Sequence, residues 1–260
     1  MILTTIAWNT FKEAVRDKIL YVLLFFGMLM IVVSRAIGWV SFGGEQKVMT
    51  DIGLAAIWIF SGMVSIFIGT GLIYKEIDKR TIYTILSKPM DRWQFIVGKY
   101  LGLLLTTLVN MVVLAVIFLL YLKLYDAPVT FALGQALLLN FIEMMVVTAI
   151  AILFSSASTP ILSAIFTTVI FFAGQLTKWV VDLGATLEQS APFAHKLLYS
   201  VYLLLPNLHN FNIRREAVIA SQLQLVTVPS AEIWSCVIYG VSYTVAVLLL
   251  AQLIFQRRNL

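Results

Sequence analysis

From Ile19 to Val40 the chain carries a single charge, Arg35, and runs of the same character recur along its length. The others fall at about Ile52–Ile73, Phe95–Leu122, Phe131–Phe154, Pro160–Leu176 and Ile233–Phe255. A helix needs roughly 20 apolar residues to cross the hydrocarbon core of a bilayer. The fifth run is short and gains length only by extending through Val181, past Lys178. The first turn of the third run is expected to lie outside the core. All six are apolar on every face, whereas barrel strands alternate and are about ten residues long. Continuous helices also satisfy their own backbone in lipid. The fold predicted is therefore an all-α integral membrane protein with six transmembrane helices. Composition agrees, with hydrophobic residues at 61% and charged residues at 12%. A soluble domain has about 45–50% and about 25%. Trp39, Trp93, Trp179 and Trp234 fall near run ends, as in an interfacial belt, while Trp58 inside the second run reads as packing.

Residues 1–18 precede the first run. Ile2, Ile6, Trp8, Phe11, Val15 and Ile19 recur at roughly helical spacing, which predicts an amphipathic helix lying in the interface plane. The first run is too long for a signal-peptide core and no clear small-x-small site follows it, so it reads as an uncleaved anchor. Six crossings place both termini on one side. That side holds Lys12, Arg16, Lys18, Lys75, Lys79, Arg80, Lys88, Arg92, Lys99, Arg257 and Arg258, in short segments at run ends. The other side holds fewer basic residues, three of them in a long loop that counts for little. Both termini are expected in the cytoplasm, with the chain in the plasma (inner) membrane. The net charge of +5 reads as this asymmetry and not as nucleic-acid binding.

Outside the runs, the segment 74–94 is the most charged part of the chain and faces the cytoplasm. Thr81 to Leu86 has one apolar helical face, and Pro89 closes it. Such a helix outside the membrane offers a docking surface; an ordinary basic loop is the plainer alternative. The segment 177–231 faces outward and exceeds a simple connection. Ala194–Pro206 is an apolar run of interfacial or re-entrant length, and a second helix is expected over Ile213–Gln224. This helical cap is a candidate lid, or a surface for an extracytoplasmic partner.

Within the runs, Glu143 is a carboxylate at mid-span, and an intramembrane acid is a functional-site hypothesis by default. Asn110 is expected at similar depth. One reading is a protonated Glu143 hydrogen-bonded to Asn110 or a backbone carbonyl; the other is a direct role in a substrate or proton path. Small residues recur at Ser61, Ser65 and Gly69, and at Gly98 and Gly102. This spacing lets helices approach closely and is read as packing, only weakly as a subunit contact.

The chain contains no phosphate-binding G-x-x-x-x-G-K-[ST] loop, no H-E-x-x-H and no G-x-S-x-G. Cys236 alone can form neither an internal disulfide nor a cysteine metal cage and reads as a small core residue. His195 and His209 have no evident ligand partners. No catalytic or metal-binding residue is assigned.

The cytoplasmic segment is more specific. Glu76, Thr81, Leu86, Pro89, Arg92, Gly98 and Lys99 stand in the order and spacing of the signature of export-type ABC transporter permeases. The chain resembles that ABC-2 membrane family, with Arg80 where the family has glycine. The six-span layout, the N-terminal helix and the long outward segment extend the resemblance over the whole chain. The resemblance implies a permease that pairs with a second copy or a paralogue and binds two cytoplasmic ATPase subunits. The ATP and magnesium sites would then lie on that partner and no cofactor on this chain. It also implies that 74–94 supplies a coupling helix. Glu76, Arg80 and Arg92 would make charge contacts there, Leu86 an apolar anchor and Pro89 the shape, with Thr81 in the same coupling set. Competing readings are a proton-coupled secondary transporter using Glu143, a membrane-embedded enzyme acting on lipid-linked substrates, and a mechanical coupler with no translocated substrate.

Overall fold

The computed structural model describes residues 2–40, 44–78, 92–187, 192–223 and 230–257. Regular structure among them is helical: α1 Ile2–Val15, α2 Lys18–Val40, α3 Glu45–Asp78, α4 Arg92–Leu124, α5 Phe131–Ala157, α6 Pro160–Gln175, α7 Thr177–Leu187, α8 Pro192–Leu204, a 3-10 turn at Leu208–Phe211, α9 Arg214–Leu223 and α10 Ser230–Arg257. Five stretches among the described residues are long and apolar enough to cross a membrane, at 18–40, 45–71, 93–124, 131–157 and 231–255. Helices α6 and α7 together make a sixth candidate, bent by 58°. The chain is thus an all-helical integral membrane protein with five or six candidate crossings among the described residues.

Local chemistry sets the helix ends. The Asp17 carboxylate accepts the Ile19 N–H at 3.0 Å and caps α2. Helix α4 stops in a Schellman-type turn in which the Ala127 N–H reaches back to the Leu122 carbonyl at 2.9 Å. Asp126 takes the left-handed conformation there, at φ 51°, which a short polar side chain tolerates. Pro160 opens α6 at its first turn, where no N–H is needed.

The expected fifth span departs from a straight helix. The chain breaks at Leu176, whose N–H bonds the Ala173 carbonyl at 3.0 Å in a tightened last turn. The Thr177 hydroxyl lies 3.0 Å from the Gly174 carbonyl and 2.6 Å from Asn207 Oδ1. A Cβ on Gly174 would lie 2.7 Å from Leu208 Cγ and 2.8 Å from the Pro206 carbonyl. The 3-10 turn therefore presses onto the end of α6 where only a glycine fits, and the chain leaves sideways as α7.

Helix α5 is the centre of the bundle. It is apolar around its whole circumference, as a buried helix is, and packs against α3, α4, α6, α9 and α10. Met144, Val146, Val147, Ala149, Ala151 and Ile152 are fully buried on it. Helices α2 and α10 expose Phe25, Val32, Val245 and Leu249, suited to lipid. In lipid, close backbone approach must supply what hydrophobicity supplies in water. Gly69 does this between α3 and α5, where a Cβ would lie 3.1 Å from that of Ala151. Ser65 and Thr107 hydroxyls meet at 3.4 Å between α3 and α4, and Ser61 is fully buried.

Gly98 and Gly102 face α1. A Cβ on Gly98 would lie 2.8 Å from Ile6 Cγ2, and one on Gly102 would lie 2.5 Å from the Ala7 carbonyl oxygen. The N-terminal helix thus lies in a groove on α4, burying Thr10 and Ala14 and leaving Ile2 and Trp8 exposed. Thr10, Ala14 and the edge residue Ile6 face the groove, and Ile2 and Trp8 stay on the outer face. Gly102→Val should expel α1 and destabilise the protein by about 1–3 kcal/mol, as overpacking against backbone does. A thermal melt in detergent checks this.

Candidate functional site

Glu143 sits midway along α5 and is 1% exposed. Its carboxylate accepts two hydrogen-bond donors from neighbouring helices. Trp58 Nε1 on α3 donates to both oxygens, at 2.9 and 3.1 Å. Gln175 Nε2, on the last residue of α6, donates to Oε1 at 2.6 Å. The amide oxygen of Gln175 in turn accepts Asn212 Nδ2 at 3.4 Å. The Trp58 ring stacks on Phe171 with centroids 4.9 Å apart. An isolated buried acid is costly, and a set of donors aimed at it offsets that cost.

Arg214, at the start of α9, covers this cluster. Its guanidinium carbon lies 5.9 Å from the Trp58 ring centroid and its Nε lies 3.4 Å from Asp51 Oδ1. Glu143, Trp58, Asn140, Asn212 and Arg214 line one narrow cavity of about 20 Å³, room for a water or two. Below Arg214, Phe211 and Leu208 of the 3-10 turn are buried. A Cβ on Gly240 would lie 2.4 Å from Ile142 Cγ2 and 3.2 Å from the Phe211 ring, so α10 closes tightly on the same turn. The Asn207 N–H donates to the Tyr239 hydroxyl at 2.9 Å, and the Cys236 thiol to the Asn210 carbonyl at 3.3 Å. Cys236 is half-buried at this contact, not sequestered in a core. The segment 205–214 is thereby a plug held by α3, α5, α6 and α10.

Asp51 is 57% exposed and Arg214 31%, so their ion pair is screened and its loss in Arg214→Gln should change stability by no more than about 1 kcal/mol. A melting curve for that variant checks it.

Asn110 does not meet Glu143. It is buried on α4, and no side-chain hydrogen bond joins it to another described residue. Asn140, one turn before Glu143, points its amide at Met111 Sδ, 4.0 Å away. Counting residues along antiparallel helices estimates depth, but it does not fix the direction a side chain takes around the axis. The partners are instead Trp58, which packs and donates at once, and Gln175. Gln175 is a polar residue in an otherwise apolar run, a signal that was available in the sequence.

Of the residues assigned to coupling, Glu76 lies in the last turns of α3 and Arg92 opens α4. Arg80, Thr81, Leu86 and Pro89 lie outside the described residues. The segment 74–94 is helical at both flanks, since α3 runs on to Asp78 and α4 begins at Arg92. Beside it, Lys99 is 2% exposed, with its ammonium 3.7 Å from Glu13 of α1 and 5.9 Å from the Phe95 ring centroid.

A family model described as ABC-2 family transporter protein matches residues 4–260, and the chain belongs to that family. It is an ABC-2 type permease, the membrane component of an ABC transporter. No curated protein matches the chain.

Proposed function

We infer that this permease works as an exporter subunit, driven by a separate cytoplasmic ATPase that docks on the segment 74–94, with both termini in the cytoplasm of a plasma membrane. A second copy or paralogue completes the membrane unit. ATP and magnesium belong to the ATPase; this chain is not itself an enzyme.

One observation carries the mechanism. Helix α3 spans Glu45–Asp78 without a break and carries both Trp58, bonded to Glu143, and the flank of the docking segment. Twenty residues separate Trp58 from Asp78, about 30 Å of helix. A tilt or shift of α3 forced from the cytoplasmic end moves the indole away from the carboxylate. That loosens the Glu143–Gln175–Asn212 chain holding the plug. ATP-driven docking thus biases a two-state seal through one rigid element. Docking of α1 on Gly98 and Gly102, with Lys99 facing Glu13, ties the N-terminal helix to the other flank of the segment. Glu143 is occupied by two N–H donors, which favours a structural latch over a free proton carrier.

The seal can be followed without a known substrate. In a Cys236→Ser background, Asn140→Cys places a thiol in the narrow cavity. Its reaction with a water-soluble maleimide should rise about tenfold when the assembled transporter is trapped with ATP and vanadate. Labelling indifferent to nucleotide would count against an ATP-driven seal.

A further inference from the structure

Helices α7 and α8 form a hairpin beside the plug. Each is shorter than the roughly 20 residues that a crossing needs. They pack on one another, and the His195 ring nitrogen Nδ1 lies 2.9 Å from the Gly184 carbonyl oxygen. Helix α7 leaves the outward end of α6 at 58°, so the hairpin starts at the level of the bilayer surface. It is strongly apolar outside: Phe193 is 81% exposed and Trp179 67%, with Leu183, Leu197 and Leu203 also exposed. Large exposed apolar surface of this kind marks a contact surface, and tryptophan favours the headgroup level. The hairpin therefore rests in the outward membrane interface.

Between this hairpin and α9 lies an open cup of about 400 Å³. Its polar lining includes Lys178, His209, Asn210 and Glu216, and its apolar lining Val181 and Ile213. One cation, one carboxylate, three amides, a phenol and an imidazole around a partly apolar cup complement a particular chemistry. A phosphodiester suits Lys178 and His209, a primary ammonium suits Glu216, and Asn210 can bond ester or phosphate oxygens. Val181 extends the lining along α7, which is also exposed at Trp179 and Leu183.

We propose that this cup binds the headgroup of an outer-leaflet phospholipid carrying both a phosphodiester and a primary amine, with its acyl chains along the α7–α8 hairpin. The proposal rests on the outward placement of residues 177–223. The cup takes Asn207, His209, Asn210, Asn212 and Ile213 from the plug, so an occupied cup braces the closed seal from its outer side.

The test uses the full-length chain, delipidated in detergent and titrated with mixed micelles containing phosphatidylethanolamine, phosphatidylcholine or phosphatidylglycerol, with retained lipid read by native mass spectrometry. Phosphatidylethanolamine should be retained about tenfold more than the other two, and Lys178→Gln with Glu216→Gln should remove that preference. Soluble phosphoethanolamine at millimolar concentration should fail to displace it. Equal retention of all three lipids, or a preference unchanged in the double variant, would overturn the proposal. Displacement by the soluble headgroup would overturn the lipid as occupant and leave a free phosphoamine site. Lys196→Cys in the Cys236→Ser background separates the underlying orientation: an impermeant maleimide should label it in intact cells. Labelling only in inverted vesicles would overturn the outer-leaflet assignment, whatever the lipid preference.

Discussion

Glu143→Leu is expected to cost on the order of 3 kcal/mol of stability and to unseat the plug. The leucine fills the volume but leaves the Trp58 and Gln175 N–H groups facing hydrocarbon. Each buried donor left without an acceptor costs about 1–3 kcal/mol. Glu143→Gln should be milder, because its amide oxygen still accepts one donor while its NH₂ group meets the other. The two variants therefore separate packing from bonding. Trp58→Phe gives the matching control from the other side: it keeps an aromatic ring beside Phe171 and removes the N–H together with one ring of the indole. Thermal melts should rank Leu well below Gln, with Phe at position 58 close to Gln. Maleimide labelling at Asn140→Cys should be raised in all three without nucleotide. A Leu variant as stable and as tightly sealed as the native chain would remove Glu143 from the account.

The second large effect is expected at the opposite end. Reversing both charges, Glu76→Lys with Arg92→Glu, should abolish capture of the ATPase subunit, or lower its stimulated hydrolysis at least about tenfold. These residues lie at the two flanks of the docking segment, on the ends of α3 and α4. Charge reversal replaces attraction by repulsion at a contact where like charges facing each other cost several kcal/mol. The spans are untouched, so the double variant should melt as the native chain does. Unchanged ATPase capture and hydrolysis would place the contact elsewhere.

Much of the fold was legible in the sequence. Long charge-free runs have one stable solution in lipid, so the helices and their approximate ends follow from hydropathy. What escaped was set by packing between distant segments. The break at Leu176 reflects pressure from Leu208 and Pro206 on Gly174, which no local propensity announces. Gly98 and Gly102 were visible as a close-contact motif, but their occupant proved to be α1 of the same chain. The apolar spacing of Ile2, Trp8 and Phe11 marks the outer face of α1, and it carries no signal for the groove that Thr10 and Ala14 enter. Glu143 stood out because a mid-span acid is costly; its partners did not, since azimuth around each axis decides which side chains meet. Trp58 in particular read as packing alone, and the indole N–H is what ties α3 to the acid.

The most direct test of the central claim is purification of the tagged chain from its native membrane under conditions that preserve complexes, followed by measurement of ATP hydrolysis. A stoichiometric ATPase subunit, with hydrolysis that falls with the Glu76 and Arg92 reversals, is the predicted result. Recovery of the chain alone and without hydrolysis would contradict it, and would make Glu143 the centre of a transporter driven by protons instead of ATP.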